Sequence, residues 1–108
     1  MSAKTEADKI VPLIEEIFEA KWKDICGSRK CENTCVKYLL SLYLFNLGYR
    51  HSDISQVVMC DRSHVYYVVE RATRIMRSRD NYYSYIKIKM KDAMERSGAK
   101  WSVLEKWL

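Results

Sequence analysis

The chain has 108 residues, of which 48% are hydrophobic, and a formal net charge of +5. That length suits one domain with one core and leaves no room for a nucleotide-driven motor beside it. The basic balance favours a polyanionic partner, although it bears on association and not on fold. The charge is uneven: residues 1–24 are net acidic, while residues 61–100 carry most of the positive excess.

Met1–Asp8 is polar and no apolar run approaches the roughly 20 residues of a membrane span. A cytoplasmic protein with no membrane role is therefore expected, and its thiols should stay reduced. Cys26, Cys31, Cys35 and Cys60 form no paired CxxC motif. Cys31 and Cys35 stand one helical turn apart, with His51 or His64 as the nearest further ligand types. The expectation is no metal site, with cysteine serving as a small core residue.

One proline, three glycines and apolar residues at helical spacing predict an all-α chain of about five to six helices. The first helix is expected from Glu6 to Asp24, opened by a Thr5/Asp8 capping signal and ended by Gly27, with Pro12 near its first turn or kinking it. Ser28 is a candidate cap for a second helix, from Arg29 or Cys31 to Leu47. Its apolar residues lie nearly all round, which marks a central helix. Gly48 stops it, and Tyr49-Arg50-His51 reads as a linker. Ser52 is the expected cap of a short helix, Asp53 to Met59, with Cys60 as the turn. Asp61 then caps a helix from Arg62 to about Arg79.

On that helix Val65, Val68, Val69, Ala72, Ile75 and Met76 form one inward stripe. A further helix from Tyr82 to Arg96 follows the break at Asp80-Asn81. An amphipathic tail over residues 99–108 carries Trp101, Leu104 and Trp107, either to dock on a partner or to fold back over the core.

Residues 54–75 are the most informative stretch. Ile54, Val57 and Val58 supply the inward side of a first short helix, and Val65 the inward residue near the fourth position of a second. That is the pattern of a helix-turn-helix, in which the second helix enters the DNA major groove. The commonest turn glycine is missing, with Met59 and Cys60 in its place. The outward residues suit duplex DNA. Arg62 matches a guanine edge or a phosphate. Ser63 and His64 suit base edges or phosphates, and Tyr66 and Tyr67 suit thymine methyls or phosphates. Asp61 is either an acceptor for a cytosine amino group or only a helix cap. Arg71 and Arg74 are expected to reach the backbone.

Residues 28–65 also resemble a known family, the C-terminal DNA-binding domain of the bacterial replication initiator DnaA, which is itself similar to the Trp repressor. The family opens its second helix with Ser-Arg-Lys-Arg and a further Arg some six residues on. Here the chain reads Ser28-Arg29-Lys30-Cys31, then Lys37. A long apolar helix follows, then a short one, then the signature Arg-Asp-His-(Ser/Thr)-Thr-Val, met here by Cys60-Asp61-Arg62-Ser63-His64-Val65.

The resemblance implies that Arg29 enters the minor groove and that Asp61, Arg62 and Ser63 stand at base edges. Lys30, Lys37 and Arg50 join the expected DNA contacts. Two registers remain open: the signature His is matched by Arg62, or by His64 with Ser63 in the Asp place. The expected function is sequence-specific binding of double-stranded DNA, as a transcription regulator or replication-initiation accessory factor. No Gly-rich phosphate loop with Lys-Ser/Thr occurs, so no nucleotide or other cofactor is expected. Neither histidine has an obvious nucleophile with an orienting carboxylate in sequence, so catalysis is not expected. The alternative is a helical protein-interaction module that uses the Trp101, Leu104 and Trp107 tail; a monomer fits the initiator resemblance and a homodimer the Trp repressor.

Overall fold

The computed structural model describes residues 2–105, and everything described is helix or connection, with no strand. Seven helices appear among these residues: α1 (Ala3–Phe18), α2 (Trp22–Gly27), α3 (Cys31–Asn46), α4 (His51–Val58), α5 (Arg62–Arg77), α6 (Asn81–Arg96) and α7 (Ser102–Glu105). Every one contributes to a single buried cluster. Helix α3 is its axis, with Val36, Leu39, Leu40, Leu42 and Leu44 fully buried and α5 packed along it. Helix α1 lies against α4 and α6 on another side.

The first expected helix is two helices. Glu19 adopts the left-handed conformation (φ 54°), and its N–H returns to the Glu15 carbonyl. The Glu15 carboxylate then accepts from the backbone N–H of Trp22 at 2.7 Å, which starts α2. Nothing in a Glu-Ala-Lys run signals a break, because these residues favour helix. The break serves Trp22, whose buried indole Nε1 donates to the Val57 carbonyl of α4 at 2.9 Å. A buried indole N–H needs such a partner.

Several caps differ from expectation. Ser2, not Thr5, caps α1 by accepting from the Thr5 N–H. Pro12 lies in the exposed interior of α1, beyond the first turn. Ser28 stands three residues ahead of the start of α3 and accepts from the Lys30 N–H, with Lys30 itself at the cap. Helix α4 begins at His51, capped by Arg50, so the expected linker is part helix and Ser52 lies inside. Helix α5 ends at Arg77, where Lys87 donates to the Met76 and Ser78 carbonyls (3.2 and 2.8 Å). Those are the carbonyls a helix end leaves without partners.

The tail folds back. Trp101 is 7% exposed and Leu104 fully buried, and the Asn46 side-chain amide donates to the Val103 carbonyl at 3.1 Å. Trp107 lies outside the described residues. No described helix is long and apolar enough to cross a membrane.

Candidate nucleic-acid interface

The pair α4 and α5 is joined by Met59, Cys60 and Asp61. Ile54, Val57 and Val58 of α4 are buried, as are Val65, Val68, Val69, Ala72, Ile75 and Met76 of α5. Both helices contact α3 and each other. Met59 closes the turn in the left-handed conformation (φ 55°, ψ 47°), the position where glycine was missed. The N–H groups of Met59 and Cys60 both return to the Ser55 carbonyl, a helix stop usually built on glycine.

With its valines inward, α5 presents Arg62, Ser63, His64, Tyr66, Tyr67, Arg71 and Arg74 to solvent. Asp61 holds the cap position but its carboxylate makes no capping bond, so it stays exposed beside them. No acidic residue lies in the first turn of α5, whose free N–H groups suit a phosphate.

Three grooves surround this face. The largest, about 1090 Å³, places Lys37 of α3 and Gln56 of α4 opposite Asp61, Ser63, His64 and Tyr67. A second, of about 490 Å³, joins Arg50, His51 and Ser52 to Arg62, Ser63 and Tyr66. A third, of about 500 Å³, brings Arg29, Thr34 and Tyr38 to Arg71, Arg74 and Tyr83. Thus Lys37 and Arg50, distant in sequence, meet the leading turns of α5 from two grooves that share Ser63, and Arg29 meets the helix further along, at Arg71 and Arg74. Lys30 is exposed at the head of α3 and lines none of these grooves.

Ring contacts organise the face. His51 stacks on Tyr66 (centroids 3.9 Å apart, planes 20°) and His64 on Tyr67 (5.3 Å, 27°). Tyr38 meets Tyr67 edge-on at 6.4 Å. The Arg71 guanidinium lies 5.7 Å from the centre of the same ring. Arg74, by contrast, is held by Glu70 at 2.8 Å. Sequence reasoning missed Gln56, His51 and Tyr38. Gln56 was within reach of the helical pattern, since the inward Ile54, Val57 and Val58 leave it facing out. His51 and Tyr38 needed the packing of separate helices.

The thiols are not poised for chemistry. Burial pushes Cys26 and Cys35 up to about 12 and raises Cys60 as well. A buried protonated thiol behaves as a small apolar group. Cys31 departs from that role: it is exposed, with its sulfur 3.9 Å from that of Cys35. No group of three or more potential metal ligands occurs among the described residues.

No protein-family model, no curated protein and no solved structure matches the chain.

Proposed function

We propose that this protein binds double-stranded DNA sequence-specifically, with the leading turns of α5 in the major groove. One observation carries the reading. Val65 is wholly buried while Asp61, Arg62, Ser63 and His64, the four residues before it, are all exposed. A helix so placed reads bases with its front and is held by phosphate contacts at its flanks. Arg50 on one side, with Lys37 and Arg29 on the other, supplies those flanks. The buried Val65 also favours the register in which Asp61, Arg62 and Ser63 align with the initiator signature.

The described part of the tail lies away from this face, since Trp101 lines a groove with Met76, at the far end of α5. Regulation of transcription and assistance at replication initiation are both served by such binding, and no catalytic step is part of it. The rival reading, a protein-docking module, has lost Trp101 and Leu104 to the core as surface anchors and retains exposed Tyr85 and Ile88 on α6.

The test is a duplex mobility-shift titration at 50 and 200 mM salt. Neutralising about four phosphates gives a log–log slope of about −3.6, hence about a 150-fold loss across that range. Arg62→Ala is expected to cost about 1–3 kcal/mol on a selected site and little on random duplex, whereas Arg71→Ala weakens both alike. Equal losses on both duplexes for both variants refute the groove assignment. A chain that retains no duplex at either salt refutes the function.

A further inference from the structure

We infer that Tyr67 is a positioning residue whose ring, not its hydroxyl, sets His64 and Arg71 in the attitudes in which they meet DNA. The inference rests on the DNA-binding reading and deepens it. His64, Tyr67 and Arg71 follow one another at three- and four-residue steps, so they line one edge of α5. The Tyr67 ring is the centre of that edge. His64 stacks on it at 5.3 Å, the Arg71 guanidinium lies 5.7 Å from its centroid, and Tyr38 braces it edge-on from α3 at 6.4 Å. Tyr38 is half-buried, so the brace is anchored in the core. The Tyr67 hydroxyl, in contrast, has no hydrogen-bond partner among the described residues.

The two neighbouring arginines show what the ring contributes. Arg74 is tied to the Glu70 carboxylate at 2.8 Å, which offsets its charge. Arg71 makes no ion pair among the described residues and is held by a neutral aromatic face. A guanidinium held this way has lost side-chain freedom yet keeps its full charge for a phosphate. Ordering a long side chain before binding saves about 0.5–1.5 kcal/mol at the moment of binding, which converts to about two- to tenfold in affinity. His64, fixed by the same ring, faces the groove shared with Lys37, Gln56 and Ser63. The ring therefore couples a residue placed to read bases to one placed to grip the backbone.

The experiment compares the full chain with Tyr67→Phe, Tyr67→Leu, Arg71→Ala and the double variant Tyr67→Leu/Arg71→Ala. Affinities are measured by fluorescence anisotropy on the duplex that the wild-type chain selects from a random pool, and on a scrambled duplex of equal length. Tyr67→Phe, which keeps the ring, loses clearly less than Tyr67→Leu on both duplexes. Tyr67→Leu loses about three- to tenfold on the scrambled duplex, through Arg71, and also narrows the ratio between selected and scrambled, through His64. The double variant is weaker than Arg71→Ala on scrambled duplex by much less than that factor, because both changes remove one coupled unit.

Thermal melts confirm that the variants fold, as expected for a residue 47% exposed. A Tyr67→Phe loss as large as that of Tyr67→Leu assigns the role to the hydroxyl and overturns the inference. So does full additivity in the double variant, or a Tyr67→Leu chain that still binds and discriminates like wild type. A wild-type chain that binds no duplex removes the DNA reading itself, and is distinguished from these by that one control.

Discussion

The front of α5 and the C-terminal tail are both short amphipathic stretches crowded with aromatic rings, and they meet opposite fates. Tyr66 and Tyr67 are 68% and 47% exposed, braced from the side by His51, His64 and Tyr38. Trp101 is turned inward and Leu104 is sealed against the core. The difference is not one of hydrophobicity. It follows from what each stretch finds next to it. Helix α5 already buries a full stripe of valine, alanine, isoleucine and methionine, so its tyrosines are left over. The described tail instead adds Trp101 and Leu104 to the common core, with α7 packed on α3. An aromatic residue thus marks a surface only where its own helix has satisfied the core without it.

The sharpest way to break this contrast is Trp101→Ala. Removing a buried indole should destabilise the fold by about 3–5 kcal/mol, read by urea denaturation, with duplex affinity unchanged under conditions where the variant is folded. A loss of affinity there would place the tail in the interface after all. The mirror variant is Arg62→Ala, which should leave stability within about 0.5 kcal/mol while it weakens binding to the selected site. A large stability loss would mean that the front of α5 is structural.

The core can also be set apart from the front by pH. Tyr43 is buried, with its hydroxyl donating to Glu6 at 3.4 Å, and burial together with the nearby carboxylate pushes it up to about 12. The folded state holds that proton above the unfolded value of about 10. Its contribution to stability is therefore complete below pH 10 and declines as pH rises toward 12, by up to about 1.4 kcal/mol per unit. In Tyr43→Phe the decline over this window should be shallower, and an unchanged slope would assign the alkaline loss to other groups. The smallest expected effect is at the hinge between the two motif helices. Met59→Gly relieves a left-handed backbone at an exposed side chain and should raise stability by less than about 1 kcal/mol, visible as a small rise in Tm without loss of binding.

Much of the motif was legible because periodicity reports burial directly. The inward set of α5, from Val65 to Met76, and the inward set of α4 follow from helical spacing alone. The capping residues were less legible. Ser28 and Ser52 are good cap types, yet the chain places Lys30 and Arg50 at the caps of α3 and α4, while α1 is capped by Ser2, as good a type as the expected Thr5. Cap preference is worth about 1 kcal/mol, and tertiary packing outweighs it. The break after Phe18 was hidden for the same reason: it is favoured by a bond between Trp22 and Val57, 35 positions apart in sequence.

By itself, then, the sequence determined the all-helical class, the inward faces of α4 and α5 and the polar character of the front of α5, since each depends on neighbours three or four residues away. Only the tertiary structure decided that Lys37 and Arg50 flank that front and Arg29 the turns behind it, that Tyr38 braces Tyr67, and that Trp101 and Leu104 of the tail face the core. These depend on how separate helices pack, and packing is selected by the fit of the whole core, which no local spacing encodes.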